Sequence, residues 1–154
     1  MDGISLNDRI PSFSLEATIL NTCRDADFLV NWTILFIFPK DNTSGCTRET
    51  KEFNERYSDF KSLGVKVFGL SKDTLASHIS FSRKLDLNFS LISDPQTKLI
   101  QKLDAWKEKS MYGKTYFGIE RSTFIINGKG NVVKEWRKVK VSGHVAAVLV
   151  TLKE

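Results

Sequence analysis

Cys23, Cys46, His78 and His144 are the only cysteines and histidines in the chain. Cys46 stands in FIFPKDNTSGCTRETKEF (36–53), where an apolar run gives way to a helical pattern. With Thr43 or Ser44 as N-cap, its sulfur and backbone N–H fall in the first helical turn. There the amides lack intrahelical partners and the helix dipole favours negative charge. Such surroundings depress a thiol pKa from about 8.5 into the range of roughly 3.5–7.5. The dipole contributes only ~0.3–2 kcal/mol, so a large shift also needs a positive partner. Arg48 lies on a different face of the helix, and that partner must come from elsewhere. The alternative is a small buried hydrophobe, a common fate of free cysteine. Neither cysteine has a Cys or His neighbour at metal-ligand spacing, and two histidines give poor support for a His-dependent acyl-transfer triad.

The elements that must position Cys46 alternate in type. WTILFIF (32–38) is a strand buried on both faces and ended by Pro39. Residues 44–63 form a helix with Phe53, Tyr57 and Phe60 at helical spacing, stopped by Gly64. Strand 65–70 follows, then helix 73–87 with Leu75, Ile79 and Ser82 inward and His78 on its surface. A short strand spans 89–94 and a short helix Thr97 to Trp106. Residues 122–137 make a hairpin around an Asn-Gly turn, and helix 143–153 closes the chain. This β-α-β start followed by β-β-α predicts an α/β domain of thioredoxin-like fold, a mixed central β-sheet flanked by helices.

The 154 residues, 41% hydrophobic and 27% charged, suit one domain over 1–154. No apolar run is of transmembrane length, and the opening MDGISLNDRIPSFSLEA lacks the order of a signal peptide, so a cytoplasmic protein without membrane attachment is expected. The net charge of +5 permits an acidic partner. In its densest cluster, residues 128–140, five Lys/Arg meet one Glu and interleave with Val132, Val133 and Trp136. That is the pattern of a half-exposed strand with lysines on its wet face, and no nucleic-acid partner is expected.

FPKDNTSGCTRE resembles the peroxidatic motif of the peroxiredoxins, Pro-x-x-x-Thr-x-x-Cys, met here by Pro39, Thr43 and Cys46. RIPSFSLEA resembles that family's N-terminal strand. WKEKSMYGKTYFGIERSTFIINGKG is similar to a stretch of the bacterioferritin comigratory, or Q-type, subfamily. The resemblance implies a thiol-dependent peroxidase, reducing hydrogen peroxide and organic hydroperoxides without cofactor or metal. Cys46 would attack the peroxide and become a sulfenic acid. Thr43 would hydrogen-bond the peroxide, Pro39 shield the pocket, and Arg121 supply a guanidinium beside the thiolate, with a strand-edge surface charge as its plain alternative. Glu49 would join the network or simply stabilise the helix start.

The resemblance breaks at the second thiol. Many members of the subfamily carry a resolving cysteine five residues after the first, where this chain has Lys51, or in the following helix, where residues 73–87 have none. Two schemes stay open. A thiol reductant (thioredoxin, glutaredoxin or glutathione) recycles Cys46, which is the favoured scheme, or Cys23 acts as resolving cysteine. Cys23 also reads as a small strand residue without redox role. A peroxide sensor or thiol relay would share the chemistry of Cys46, and the expected assembly is a monomer or weak dimer. Trp106, Met111 and Tyr112 read as core packing, with a pocket wall or contact surface as the alternative.

Overall fold

The computed structural model describes residues 6–153; residues 1–5, with which the leader reading begins, and Glu154 lie outside it. A hairpin of β1 (Ser14–Ala17) and β2 (Asn21–Arg24) leads through a single 3-10 turn, Asp25–Phe28, into β3 (Trp32–Ile37). Two helices follow, α1 (Ser44–Glu55) and α2 (Tyr57–Ser62), then β4 (Val65–Ser71), α3 (Leu75–Leu85), β5 (Ser90–Ser93) and α4 (Lys98–Lys102). The last third comprises β6 (Trp106–Met111), β7 (Lys114–Ile119), β8 (Ser122–Ile126), β9 (Val132–Trp136) and α5 (His144–Lys153).

Seven strands form one sheet in the order β2-β1-β5-β4-β3-β8-β9, while β6 and β7 pair only with each other. β3, β4 and β5 are parallel and the outer strands antiparallel, so the sheet is mixed, as expected. Alternation along the strands divides the interior into two layers. Ile34, Phe36 and Phe38 face Phe53 and Phe60, with Phe81 and Val148 in the same cluster. Leu35 and Ile37 face the other way, toward Phe28, Leu99 and Ile100. The first layer seats α1: Phe36 stacks on Phe53 at 4.5 Å between ring centroids, and Phe53 contacts Phe60 at 6.0 Å.

Four expectations need revision. The helix expected over 44–63 breaks at Arg56, whose ψ of 5° leaves the helical range; Gly64, at φ +76°, ends the second piece. Trp106 begins a strand rather than ending a helix, and that strand, β6, pairs antiparallel with β7 in a hairpin. Met111 and Tyr112 are exposed at its tip instead of packed in the core. His78, read as a surface residue, is wholly buried beside Phe81, while Leu75, Ile79 and Ser82 are only partly covered.

Candidate active site

The register between β3 and β8 builds the site. Ile37 pairs with Ser122, so the chain leaving β3 toward Pro39 runs beside Arg121, which enters β8. Thr43 is the N-cap of α1, and the first backbone bond of the helix runs from the Thr47 N–H to the Thr43 carbonyl, 2.8 Å. The N–H of Cys46 therefore precedes the intrahelical ladder and is available to an oxygen. The Thr43 hydroxyl does not cap; it donates to the Lys40 carbonyl at 2.8 Å, which leaves its lone pairs free to accept.

Cys46 is 1% exposed, on the layer that faces the α1 ring stack. The positive partner required by the sequence comes from Arg121, whose Nη2 donates to Cys46 Sγ at 3.4 Å. Its Nη1 donates to Glu49 Oε1 at 2.7 Å, so the guanidinium spans a thiol and a carboxyl one helical turn apart. Gly45 keeps this approach open, because a β-carbon there would lie 3.3 Å from Arg121 Nη2. Burial alone would lower the Arg121 pKa, but Glu49 and Cys46 outweigh it and the group is raised. Burial pushes Glu49 up to about 7, against the downward pull of Arg121. Its second oxygen, Oε2, is buried without a hydrogen-bond partner. Pro39, half-buried, and Arg121 line a groove of about 450 Å³ whose other walls include Lys107, Lys109, Ile119 and Lys138.

Cys23 is not part of this assembly. It sits in β2, packed in the opposite layer of the sheet from Cys46. Burial first, and then Asp27, raise its thiol to about 12. Lys51 is exposed on the outer side of α1. Of the other singled-out residues, Trp106 stacks on Phe117 at 6.4 Å and packs against the second layer. The basic cluster lies along β9: Val132 is buried, Lys134 covers the Trp136 ring at 5.6 Å, and Arg137 pairs with Glu135 at 3.3 Å. Among the described residues no helix is long and apolar enough to cross a membrane.

Sequence reasoning missed the cluster around Asp41. His78 Nδ1 lies 2.8 Å from Asp41 Oδ2, both side chains being almost wholly inaccessible. The one local signal is that His78 shares a helix face with Phe81, and this alone does not tell a buried histidine from an exposed one.

A thiol held by a guanidinium at a helix N-terminus, on a strand–loop–helix unit of a mixed sheet, is an arrangement that favours the thiolate, and it stands here on a thioredoxin-like fold. Comparison with known proteins gives the family. Residues 6–135 match the model of the AhpC/TSA family. Peroxiredoxin Bcp of Bacillus subtilis is 40% identical over 98% of this chain and 96% of its own, and Peroxiredoxin Bcp of Xanthomonas campestris is 46% identical over 80% and 77%. A solved peroxiredoxin Q from Xanthomonas campestris superimposes with a TM-score of 0.88 at 41% identity over 92% of this chain and 89% of that one. A PrxQ mutant from Xylella fastidiosa gives 0.92 at 36% identity over 99% and 98%. The chain belongs to the AhpC/TSA family, among the peroxiredoxins of the bacterioferritin comigratory (Q) type. Its relatives indicate thiol-dependent reduction of peroxides.

Proposed function

We propose that this chain is a single-domain, cytoplasmic peroxidase that reduces hydrogen peroxide and organic hydroperoxides through Cys46, in a one-cysteine scheme recycled by an external thiol. The observation that carries the site assignment is the 3.4 Å contact between Arg121 Nη2 and Cys46 Sγ, held by Glu49 at 2.7 Å. Cys46 attacks one peroxide oxygen as thiolate; the O–O bond breaks, and the departing oxygen takes a proton to leave as water or alcohol. Cys46 becomes the sulfenic acid. Arg121 holds the thiolate and an oxygen of the stretching bond, the Cys46 N–H donates to the same charge, and Thr43 accepts the hydrogen of the peroxide. Pro39 closes the pocket beside Arg121. An external thiol (a thioredoxin- or glutaredoxin-like protein, or glutathione) then forms a mixed disulfide with loss of water. A second thiol releases Cys46 and leaves with the first as a disulfide.

The burial of Cys23 on the far side of the sheet supports the external reductant. A disulfide needs Cα atoms about 4.4–6.8 Å apart, and a thiol with a pKa near 12 is a poor nucleophile at neutral pH. Intact mass after one equivalent of hydrogen peroxide, with and without a sulfenic-acid trap, tests the scheme. A trappable gain of one oxygen on Cys46 is expected. A loss of two hydrogens per chain, or a dimer abolished by Cys23→Ser, would make Cys23 the resolving residue, and an unchanged mass would refute the peroxidase. A peroxide sensor would be oxidised equally well but would not turn over repeatedly with a reductant.

A further inference from the structure

The loop between β3 and α1 carries Pro39 and Thr43, yet has no regular structure of its own. Asn42 within it is left-handed at φ +65°, and its side-chain oxygen accepts from Lys84 Nζ at 3.4 Å. What ties the loop to the body of the protein is Asp41, which is 4% exposed. Its carboxylate faces His78 Nδ1 at 2.8 and 3.0 Å and accepts from the Ser77 hydroxyl at 2.8 Å. Its backbone N–H donates to Asp73 Oδ2 at 2.9 Å, an oxygen that also accepts from Ser71 Oγ at 2.6 Å. On the far side of the ring, His78 Nε2 lies 3.0 Å from the Ile92 carbonyl in β5. Both ring nitrogens thus face oxygens, Nδ1 the Asp41 carboxylate and Nε2 the Ile92 carbonyl, with Ser71 Oγ at 3.4 Å from Nε2.

Buried polar contacts of this kind are seldom needed for stability, because apolar residues of similar volume often hold such a site equally well. What these directional bonds add is a fixed position for one loop residue, two before Thr43 and five before Cys46. We infer that His78 is a positioning residue for the peroxide reaction: through Asp41 it holds the Pro39–Thr43 loop where Thr43 and the first turn of α1 meet the peroxide. The inference rests on the peroxidase reading above. His78 touches neither substrate nor sulfur and acts only by placement, but a misplacement of about 1 Å can slow a reaction roughly 100-fold.

The test compares two reactions of the same sulfur. Attack on hydrogen peroxide needs the aligned donors and acceptors of the loop and helix start, whereas alkylation by iodoacetamide does not. Both rates are followed by mass spectrometry of the peptide containing Cys46, in wild type, His78→Gln and the double variant Asp41→Leu/His78→Phe, which removes both partners and strands neither. The expected result in the double variant is a roughly 30–100-fold loss of peroxide rate with alkylation unchanged within about threefold. His78→Gln keeps one donor toward Asp41 but not the bond to Ile92, and a smaller loss, about 3–10-fold, is expected. Equal ratios of the two rates in wild type and in folded variants would overturn the inference, leaving His78 a packing residue. If the double variant does not fold, His78→Gln decides by the same ratio. A wild type inert to peroxide would instead overturn the peroxidase reading.

Discussion

Cys46 and Cys23 are equally hidden, at 1% and 0% exposure, but stand in opposite electrostatic surroundings. Cys46 has a guanidinium at 3.4 Å and lies where a helix begins. Cys23 has Asp27 and Asp25 near it, partly offset by Lys66, and its Sγ makes a weak contact with the Arg24 carbonyl at 3.9 Å. Burial therefore does not distinguish the two cysteines; the groups around each sulfur do, and the proposed function rests on that difference. The sharpest way to break the comparison is to delete each thiol in turn. Cys46→Ser is expected to reduce peroxide consumption to the uncatalysed background, and Cys23→Ala to leave it within about twofold. Cys23→Ala should lower stability by about 1 kcal/mol, through a small lost core contact measured by urea unfolding. Comparable losses of activity in the two variants would erase the distinction.

The second way is to leave Cys46 in place and remove its surroundings. Arg121→Ala takes away a charge-assisted donor in a largely buried site. Loss of one preorganised donor of this kind slows catalysis about 10²–10³-fold. Stopped-flow measurement of the peroxide rate should show a decline of that order with the fold intact by circular dichroism. Thr43→Val, which removes a single exposed hydroxyl, should cost less, about tenfold. A full rate in Arg121→Ala would mean that the helix start alone activates the sulfur.

The parts of this site differ in how far the sequence disclosed them. Cys46, Thr43 and Pro39 sit within eight residues, so local pattern places them together. Arg121 is 75 residues beyond Cys46 and joins it only because β8 lies antiparallel to β3, a pairing that no periodicity encodes. The resemblance to peroxiredoxins supplied that residue where spacing could not. The central strands were legible because WTILFIF and VKVFGL are apolar on both faces. β6 and β7 were not, since their side chains are mostly exposed and lack a buried face to alternate against. His78 failed for a related reason: its burial is set by Asp41, 37 residues earlier in the chain. A polar residue on a helix reads as surface until its partner is in view.

The site also has a comparison within itself, between Glu49 and His144, two buried titratable groups that both feel Arg121. Glu49 accepts from the guanidinium, and burial raises its pKa to about 7. His144 bonds Thr123 Oγ1 at 2.8 Å beneath the Phe53 and Trp136 rings, and burial followed by Arg121 lowers it to about 4. Their effects on stability have opposite signs. Between about pH 4.5 and 7 the folded state keeps a Glu49 proton that the unfolded chain has released, so this contribution falls as pH rises. Between about pH 4 and 6.5 the unfolded chain binds a proton that folded His144 refuses, so this one rises with pH. Each slope approaches 1.4 kcal/mol per pH unit at most, and over the shared window they offset one another. Glu49→Gln removes one member of the balance. Urea unfolding at pH 4.5, 5.5 and 7 should then show stability increasing with pH more steeply than in wild type. The difference between the two proteins should change by on the order of 3 kcal/mol across that window. Parallel curves would mean that Glu49 titrates alike in both states and is ionised against Arg121 throughout, a permanent brace for the guanidinium rather than a proton-holding group beside the sulfur.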